Sequence, residues 1–435
     1  MEDNFKDNSI PKGVTDFLPK QSSLITRIEN MLSTTFELWG FSKIIPPGIE
    51  FEEMVSLGMD DSLRERLIRF EDRHSHKLLT IPADITPQIA RIEAMRMTGY
   101  PLPHRLYYSG RVLRHIQSQS GRSREIYQSG VELIGLDSPE ADAEMIAMSA
   151  AILRQLGFES FKIDLGQVEF YRGIMDGLPL PQSVSREIEE SVRRKDASTV
   201  TSLLENLNIP DSSKSEIAAL PRMFGGIDTI ERAFAAVKND RSKRALDNLY
   251  SVVQILDIHG VSDCLTIDLG EIRGLSYHSG LTFEGFVPFI GEPVCGGGRY
   301  DNLMGRYGRD LPATGFAFNI LNLLQSFEKS GEVDELRRKS FLVFNERADK
   351  RQALELATAL RNQGCAVTRD IIRRDLEQSM IYAERSSINY LVTIPAEIAE
   401  GDVCTVIRVS DKSQAQQPLE AIMAPDFILK LDTIF

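Results

Sequence analysis

Between residues 105 and 135 the chain carries two short β-rich runs, 105–108 and 127–135, and the second holds Gln128, Gly130 and Glu132 at alternate positions. Residues two apart on a strand face the same side, so a carboxamide, a glycine and a carboxylate share one face. A buried carboxylate is costly unless it is paired. That face is therefore either the solvent side of an antiparallel strand or a cradle for an amine or imidazole ligand. Further β-rich runs at 161–165, 264–269 and 281–286, with turn residues between them, predict an antiparallel sheet carrying helices.

Two helices are legible beside that sheet. Leu24, Ile25, Ile28, Met31, Leu32, Phe36 and Leu38 keep a helical period that stops at Gly40. Ser138-Pro139-Glu140 supplies an N-cap, a first-turn proline and a first-turn acid ahead of an apolar series from Ala143 to Leu156, closed by Gly157. From about 183 to 256 the text turns helical and charged, in segments such as 185–208 and 213–238 without a strand pattern, which predicts a helical insertion into the sheet domain. A charged stretch at 328–339 then precedes alternating strand (341–344, 366–369, 390–394, 404–409) and helix (350–362, 374–384), the pattern of a small α/β domain. For 435 residues two or three domains are expected. The division expected is 1–330 and 340–435.

Charge and cysteine usage narrow the function classes. With 63 acidic against 50 basic residues the net charge is −13, and such a field repels nucleic acid, although a local basic patch can overcome it. Cys264, Cys295, Cys365 and Cys404 are widely spaced, with no CxxC pair and no clustered histidines, so neither a zinc site nor a disulfide framework is expected. No run approaches the roughly 20 apolar residues of a membrane span, and residues 1–9 are polar. A cytoplasmic protein without metal, cofactor or membrane contact is the expectation.

Three segments could carry chemistry. Gly296-Gly297-Gly298-Arg299-Tyr300-Asp301 lacks the Gly-Lys-Ser/Thr ending of a phosphate-binding P-loop and is not GxGxxG. Its glycines suit a structural turn or a ligand-facing loop equally well. Arg111, Arg114, Arg122 and Arg124 flank Gly121 just before the Gln128–Glu132 face. Arg273, Tyr277 and His278, in a stretch bounded by Gly274 and Gly280, offer a guanidinium for a carboxylate and a phenol and imidazole for a polar side chain. A single turn histidine carries little weight by itself.

Together, and in chain order, these segments resemble the histidyl-tRNA synthetase family, including the branch of paralogues that act as regulatory subunits of ATP phosphoribosyltransferase. Residues 11–19 (Pro-Lys-Gly-Val-Thr-Asp-Phe-Leu-Pro) resemble the N-terminal signature of both groups. Residues 41–50 resemble class II motif 1, the family's dimer interface, with its proline at Pro47. Residues 83–91 are similar to the first histidine-binding segment, with Asp84 where synthetases usually carry glutamate. Leu113-Arg114-His115 resembles motif 2, and residues 273–280 the second histidine segment, with His278 in place of the second tyrosine. The resemblance implies an α+β fold, a class II synthetase-like antiparallel sheet followed by a small α/β domain like the anticodon-binding domain. It also implies a histidine-facing set of Asp84, Thr86, Arg114, Gln128, Glu132, Arg273, Tyr277 and His278.

The departures separate the two branches. Where synthetases place the glutamate that holds the adenine amino group stands Ile116, followed by Gln117 and Ser118 instead of Arg-Pro. Where motif 3 supplies an arginine for the γ-phosphate stands Asn322. Single electrostatic stabilisers of this kind are commonly worth about 10²–10³ in rate, so adenylate formation is not expected. The second domain carries 11 basic and 14 acidic residues, a net −3, poor for holding an anticodon stem. The resemblance thus implies a non-catalytic regulatory subunit with three kinds of contact: the short catalytic subunit of ATP phosphoribosyltransferase, a second copy through motif 1, and histidine as feedback ligand. A histidine-tRNA ligase and a free-standing histidine sensor are the alternatives, and tRNA binding is not expected.

Overall fold

The computed structural model describes residues 10–115, 123–270, 277–330, 339–372, 374–396 and 403–435. The chain divides into two compact units, Met1–Glu332 and Val333–Phe435.

The first unit is organised by a nine-stranded sheet. Its strands run, edge to edge, Ser42–Lys43, His104–Leu113, Glu125–Ile134, Ala313–Asn319, Cys295–Arg299, Leu281–Phe286, Lys162–Gln167, Leu265–Asp268 and Phe224–Gly225. All pairings are antiparallel except Ser42–Lys43 with His104–Leu113 and Lys162–Gln167 with Leu265–Asp268. The order mixes distant segments: Glu125–Ile134 lies between its hairpin partner and Ala313–Asn319, where Glu132 faces Gly315 in register. That crossover brings the 128–132 face and the glycine-rich segment into one surface.

Helices cover the sheet as their patterns require. Pro19–Leu38 buries Leu24, Ile25, Ile28, Leu32 and Phe36. Pro139–Gln155 starts where Ser138 accepts a hydrogen bond from the Ala141 amide, a satisfied N-cap. Its Asp142 is buried and accepts from Arg299 Nε at 3.0 Å, fixing the end of the Cys295–Arg299 strand. The helix Thr86–Arg96 is anchored at its far end through fully buried Glu93, which meets His104 Nδ1 at 2.7 Å and Arg309 at 2.9 Å.

Three expectations need correction here. The glycine-dense run is neither turn nor loop: Cys295–Arg299 is a central strand, because side-chain-free positions let its neighbours pack closely. The insertion is broken more finely than its charge pattern suggests, into Gln182–Arg193, Ala197–Glu205, Asp211–Ala219, Asp228–Ala236 and Asp240–Ile258. It also holds a strand, Phe224–Gly225, which pairs with Leu265–Asp268 at the sheet edge; two residues are too short to show a period.

The second unit is a five-stranded mixed sheet, Ala366–Arg369, Ser340–Asn345, Tyr390–Ile394, Val403–Arg408 and Gln414–Pro418, parallel across the first three strands and antiparallel beyond. Helices Arg351–Asn362 and Leu376–Arg385 connect the parallel strands. The last strand and the helices Leu419–Met423 and Phe427–Ile434 are additions that the sequence pattern did not show. No described helix of either unit is long and apolar enough to cross a membrane.

Candidate functional site

A cavity of about 1140 Å³ lies over the first unit's sheet. Seven of the eight residues singled out in the sequence line it: Asp84, Thr86, Arg114, Gln128, Glu132, Tyr277 and His278. Arg273 and Ile116 fall outside the described residues.

The inner wall is a hydrogen-bonded set built around two carboxylates. Gln128, on the Glu125–Ile134 strand, donates from Nε2 to Asp84 Oδ1 (3.1 Å) and accepts from the Ile85 amide through Oε1 (3.1 Å). One strand side chain thus pins the loop that presents Asp84. Tyr277 donates its hydroxyl to the other Asp84 oxygen at 3.0 Å. Two residues along the chain, Thr86 opens the Thr86–Arg96 helix and donates to Glu132 Oε1 at 2.7 Å. Tyr300 donates to Glu132 Oε2.

Tyr300 was missed as a site residue. It follows directly on the strand Cys295–Arg299, and a lone phenol beside three glycines carries no local pattern that marks it. Gly315 supplies the room for this arrangement: a Cβ there would stand 1.9 Å from Glu132 Oε2.

The electrostatics follow from enclosure. Glu132 is 1% exposed, and burial pushes its carboxyl up to about 8, against the hydrogen bonds from Tyr300 and Thr86 that favour the anion. Nearby Asp84 adds to the rise. The Tyr277 phenol is pushed up by burial and by Asp84 and Glu132, so it is a firm donor. Arg114 donates from Nε to Ala83 O at 2.8 Å, which aims it at the cavity. Burial lowers its pKa while Asp84 opposes the shift, and a guanidinium so placed stays charged. His278 is brought down to about 4 by burial and by Arg172, which leaves a neutral imidazole whose Nδ1 has no partner among the described residues.

This wall can accept hydrogen bonds from an ammonium and from ring N–H groups, and Arg114 can take a carboxylate. Among the described residues no group of His, Cys, Asp and Glu could hold a metal ion. Asn322, at the motif 3 position, donates its amide to Pro293 O at 2.7 Å and so serves the backbone. At the motif 1 segment, Gln88 Nε2 donates to Pro47 O at 2.8 Å and Arg91 pairs with buried Glu50. Ile45 and Ile49 beside them are exposed.

The family model for histidyl-tRNA synthetase matches residues 13–323. Two similar relatives are both named ATP phosphoribosyltransferase regulatory subunit. The one from Geobacter metallireducens is 54% identical over 420 residues, 97% of each chain. The one from Geobacter sulfurreducens is 54% identical over 402 residues, 92% of each. Among solved structures, an ATP phosphoribosyltransferase regulatory subunit/histidyl-tRNA synthetase from Bacillus halodurans aligns with a TM-score of 0.75 at 27% identity, covering 90% of this chain and 98% of that one. The histidyl-tRNA synthetase of Nostoc sp. PCC 7120 aligns with a TM-score of 0.81 at 20% identity, over 95% and 98% of the two chains, which is a likeness of fold.

Proposed function

The chain belongs to the family of ATP phosphoribosyltransferase regulatory subunits, paralogues of the histidyl-tRNA synthetases, and from that premise we propose that it is a non-catalytic subunit controlling the first step of histidine biosynthesis. It binds the short catalytic subunit of ATP phosphoribosyltransferase, raises that enzyme's activity, and takes part in its inhibition by histidine.

One observation carries this reading. Asp84, Thr86, Gln128, Glu132 and Tyr277, the residues that the reading turns toward histidine, line one cavity in a single hydrogen-bonded set, whereas the motif 3 position holds Asn322, an uncharged side chain bound to Pro293 O. A site that keeps its amino-acid pocket without the γ-phosphate cation binds its ligand and does not activate it. Histidine sits with its ammonium toward Asp84 and Glu132 and its carboxylate toward Arg114, with Arg273, Tyr277 and His278 completing the shell. Control is allosteric, because histidine must favour one state of the assembly over another, and a coupling of about 1–3 kcal/mol is enough.

The remaining contacts follow the same reading. The 1–330 region is the synthetase-like body, with its insertion at about 183–256, and 340–435 is an anticodon-binding-like domain that does not hold tRNA. A second copy docks on the motif 1 surface around Pro47, where Ile45 and Ile49 are exposed. The protein works in the cytoplasm.

Two assays on the full chain test the reading. Calorimetry is expected to show histidine binding, and histidine-dependent exchange of pyrophosphate into ATP is expected to stay at background. Exchange well above background would instead favour the synthetase.

A further inference from the structure

Tyr277, His278 and Tyr300 line the cavity, whereas Ser279, Arg299 and Asp301, each next in the chain to one of them, stand behind that lining. The strands Leu281–Phe286 and Cys295–Arg299 pair in register up to Thr282 opposite Gly298. Further along, the Ser279 amide donates to Arg299 O at 2.8 Å. Beyond that point side chains take over from the backbone. The Asp301 amide donates to Ser279 Oγ at 2.8 Å and that hydroxyl donates to Asp301 Oδ2 at 2.9 Å, so the two residues bond each other twice. Asp301 Oδ1 accepts from the Ala313 amide and from Arg299 Nη1, both at 3.1 Å.

Arg299, 5% exposed, carries the connection across the sheet. Besides Asp142 and Asp301, its guanidinium donates to Leu136 O at 3.1 Å and to Ser138 O at 3.2 Å, carbonyls just past the end of the strand that bears Glu132. Gly280 leaves it room, since a Cβ there would stand 3.2 Å from Arg299 Cδ. A buried guanidinium is costly without such partners, which accounts for their number. It does not account for their place. The stitches sit beside two phenols whose hydroxyls reach different carboxylates, Tyr277 to Asp84 and Tyr300 to Glu132, with ring centroids 5.8 Å apart.

We propose that Asp301, through Ser279 and Arg299, is a positioning residue of the ligand site: it sets Tyr277 and Tyr300 relative to each other and to Glu132, and so fixes the slot between the two carboxylates without touching the ligand. Binding constellations need their groups held within about 0.5 Å of the productive geometry by a supporting layer of hydrogen bonds. The inference rests on the reading that this wall takes histidine.

Histidine is titrated calorimetrically into the full chain and its variants. Asp301→Ala should lose about ten-fold in affinity. Asp301→Asn should stay within about two-fold of the parent, because its oxygen still accepts from Ala313 and Arg299 and its amide can donate to Ser279 Oγ. The losses from Asp301→Ala and Tyr300→Phe should overlap, the double variant falling short of their product by about three-fold or more, where independent sites combine within about two-fold. An unchanged affinity in Asp301→Ala, or losses that simply multiply, overturns the proposal.

A ligand-free readout separates this inference from the histidine reading. Glu132 is faced by Tyr300, Thr86, Asp84 and Tyr108, and the Tyr300 bond favours its anion. Stability against pH is compared for Asp301→Ala with and without Glu132→Gln, and for the parent with and without Glu132→Gln. With Tyr300 no longer held, the Glu132 titration should lie about one pH unit higher in the first pair than in the second. A titration at the same pH in both pairs overturns the proposal. A parent that fails to bind histidine while the titration shifts would sink the histidine reading and leave the positioning role standing.

Discussion

The Tyr277 hydroxyl donates to Asp84 Oδ2 at 3.0 Å across 193 positions of sequence, and Gln128 donates to the other oxygen of the same carboxylate at 3.1 Å. Three segments that are far apart in the chain thus converge on one buried side chain. Asp84 is 2% exposed, and a polar side chain buried to that degree is costly unless it has such partners. Tyr277→Phe removes one of them and leaves an oxygen unmatched. Unfolding by denaturant should show a loss of about 1–3 kcal/mol, together with weaker histidine binding; a variant as stable as the parent would mean that the contact contributes nothing.

Glu132→Ala removes the acceptor at the centre of the other half of the wall. Hydrogen bonds to charged groups are worth about 1.5–3 kcal/mol, so histidine affinity should fall by about ten-fold or more. An unchanged calorimetric affinity would place the ligand elsewhere.

The Glu132 carboxyl, pushed up to about 8 by burial from an ordinary 4.5, gives the native state a proton that the unfolded chain releases. Its contribution to stability is complete below about pH 4.5 and is lost as pH rises toward about 8. Glu132→Gln cannot titrate, so its stability relative to the parent should improve steadily across that interval. Parallel pH profiles for the two proteins would contradict the assignment.

His278 behaves in the opposite sense. Burial and Arg172 bring it down to about 4 from 6.5, so its contribution is complete above about pH 6.5 and is lost as pH falls through about 4. His278→Asn should flatten the acid limb of the stability profile and leave the limb above pH 7 in place.

Gly315→Ala tests the room that the carboxylate needs. The added Cβ would stand 1.9 Å from Glu132 Oε2 and 2.4 Å from Val131 O, and the second of these is backbone in a central strand. Overpacking of this kind costs about 1–3 kcal/mol. Thermal unfolding should show the loss, and an unperturbed midpoint would mean that the strands separate freely there.

Much of the site was legible because its residues sit on strongly patterned elements. Gln128 and Glu132 share a strand face by simple alternation, and the Leu281–Phe286 strand has the bounds its β-rich run indicates. Ser138 caps its helix as its sequence context requires. The failures have physical causes as well. Three consecutive glycines read as a break, yet between Leu281–Phe286 and Ala313–Asn319 they form a strand, because tertiary pairing overrides a low local preference. Tyr300 reaches the cavity wall only through the crossovers of the sheet, which no local period encodes.

The rate of phosphoribosyl-ATP formation by the short catalytic subunit from the same organism, measured with and without this protein, tests the central claim most directly. A large gain in rate, reversed by histidine and less readily reversed with Glu132→Ala, is the expected result. No gain, with both proteins folded, would contradict the regulatory role.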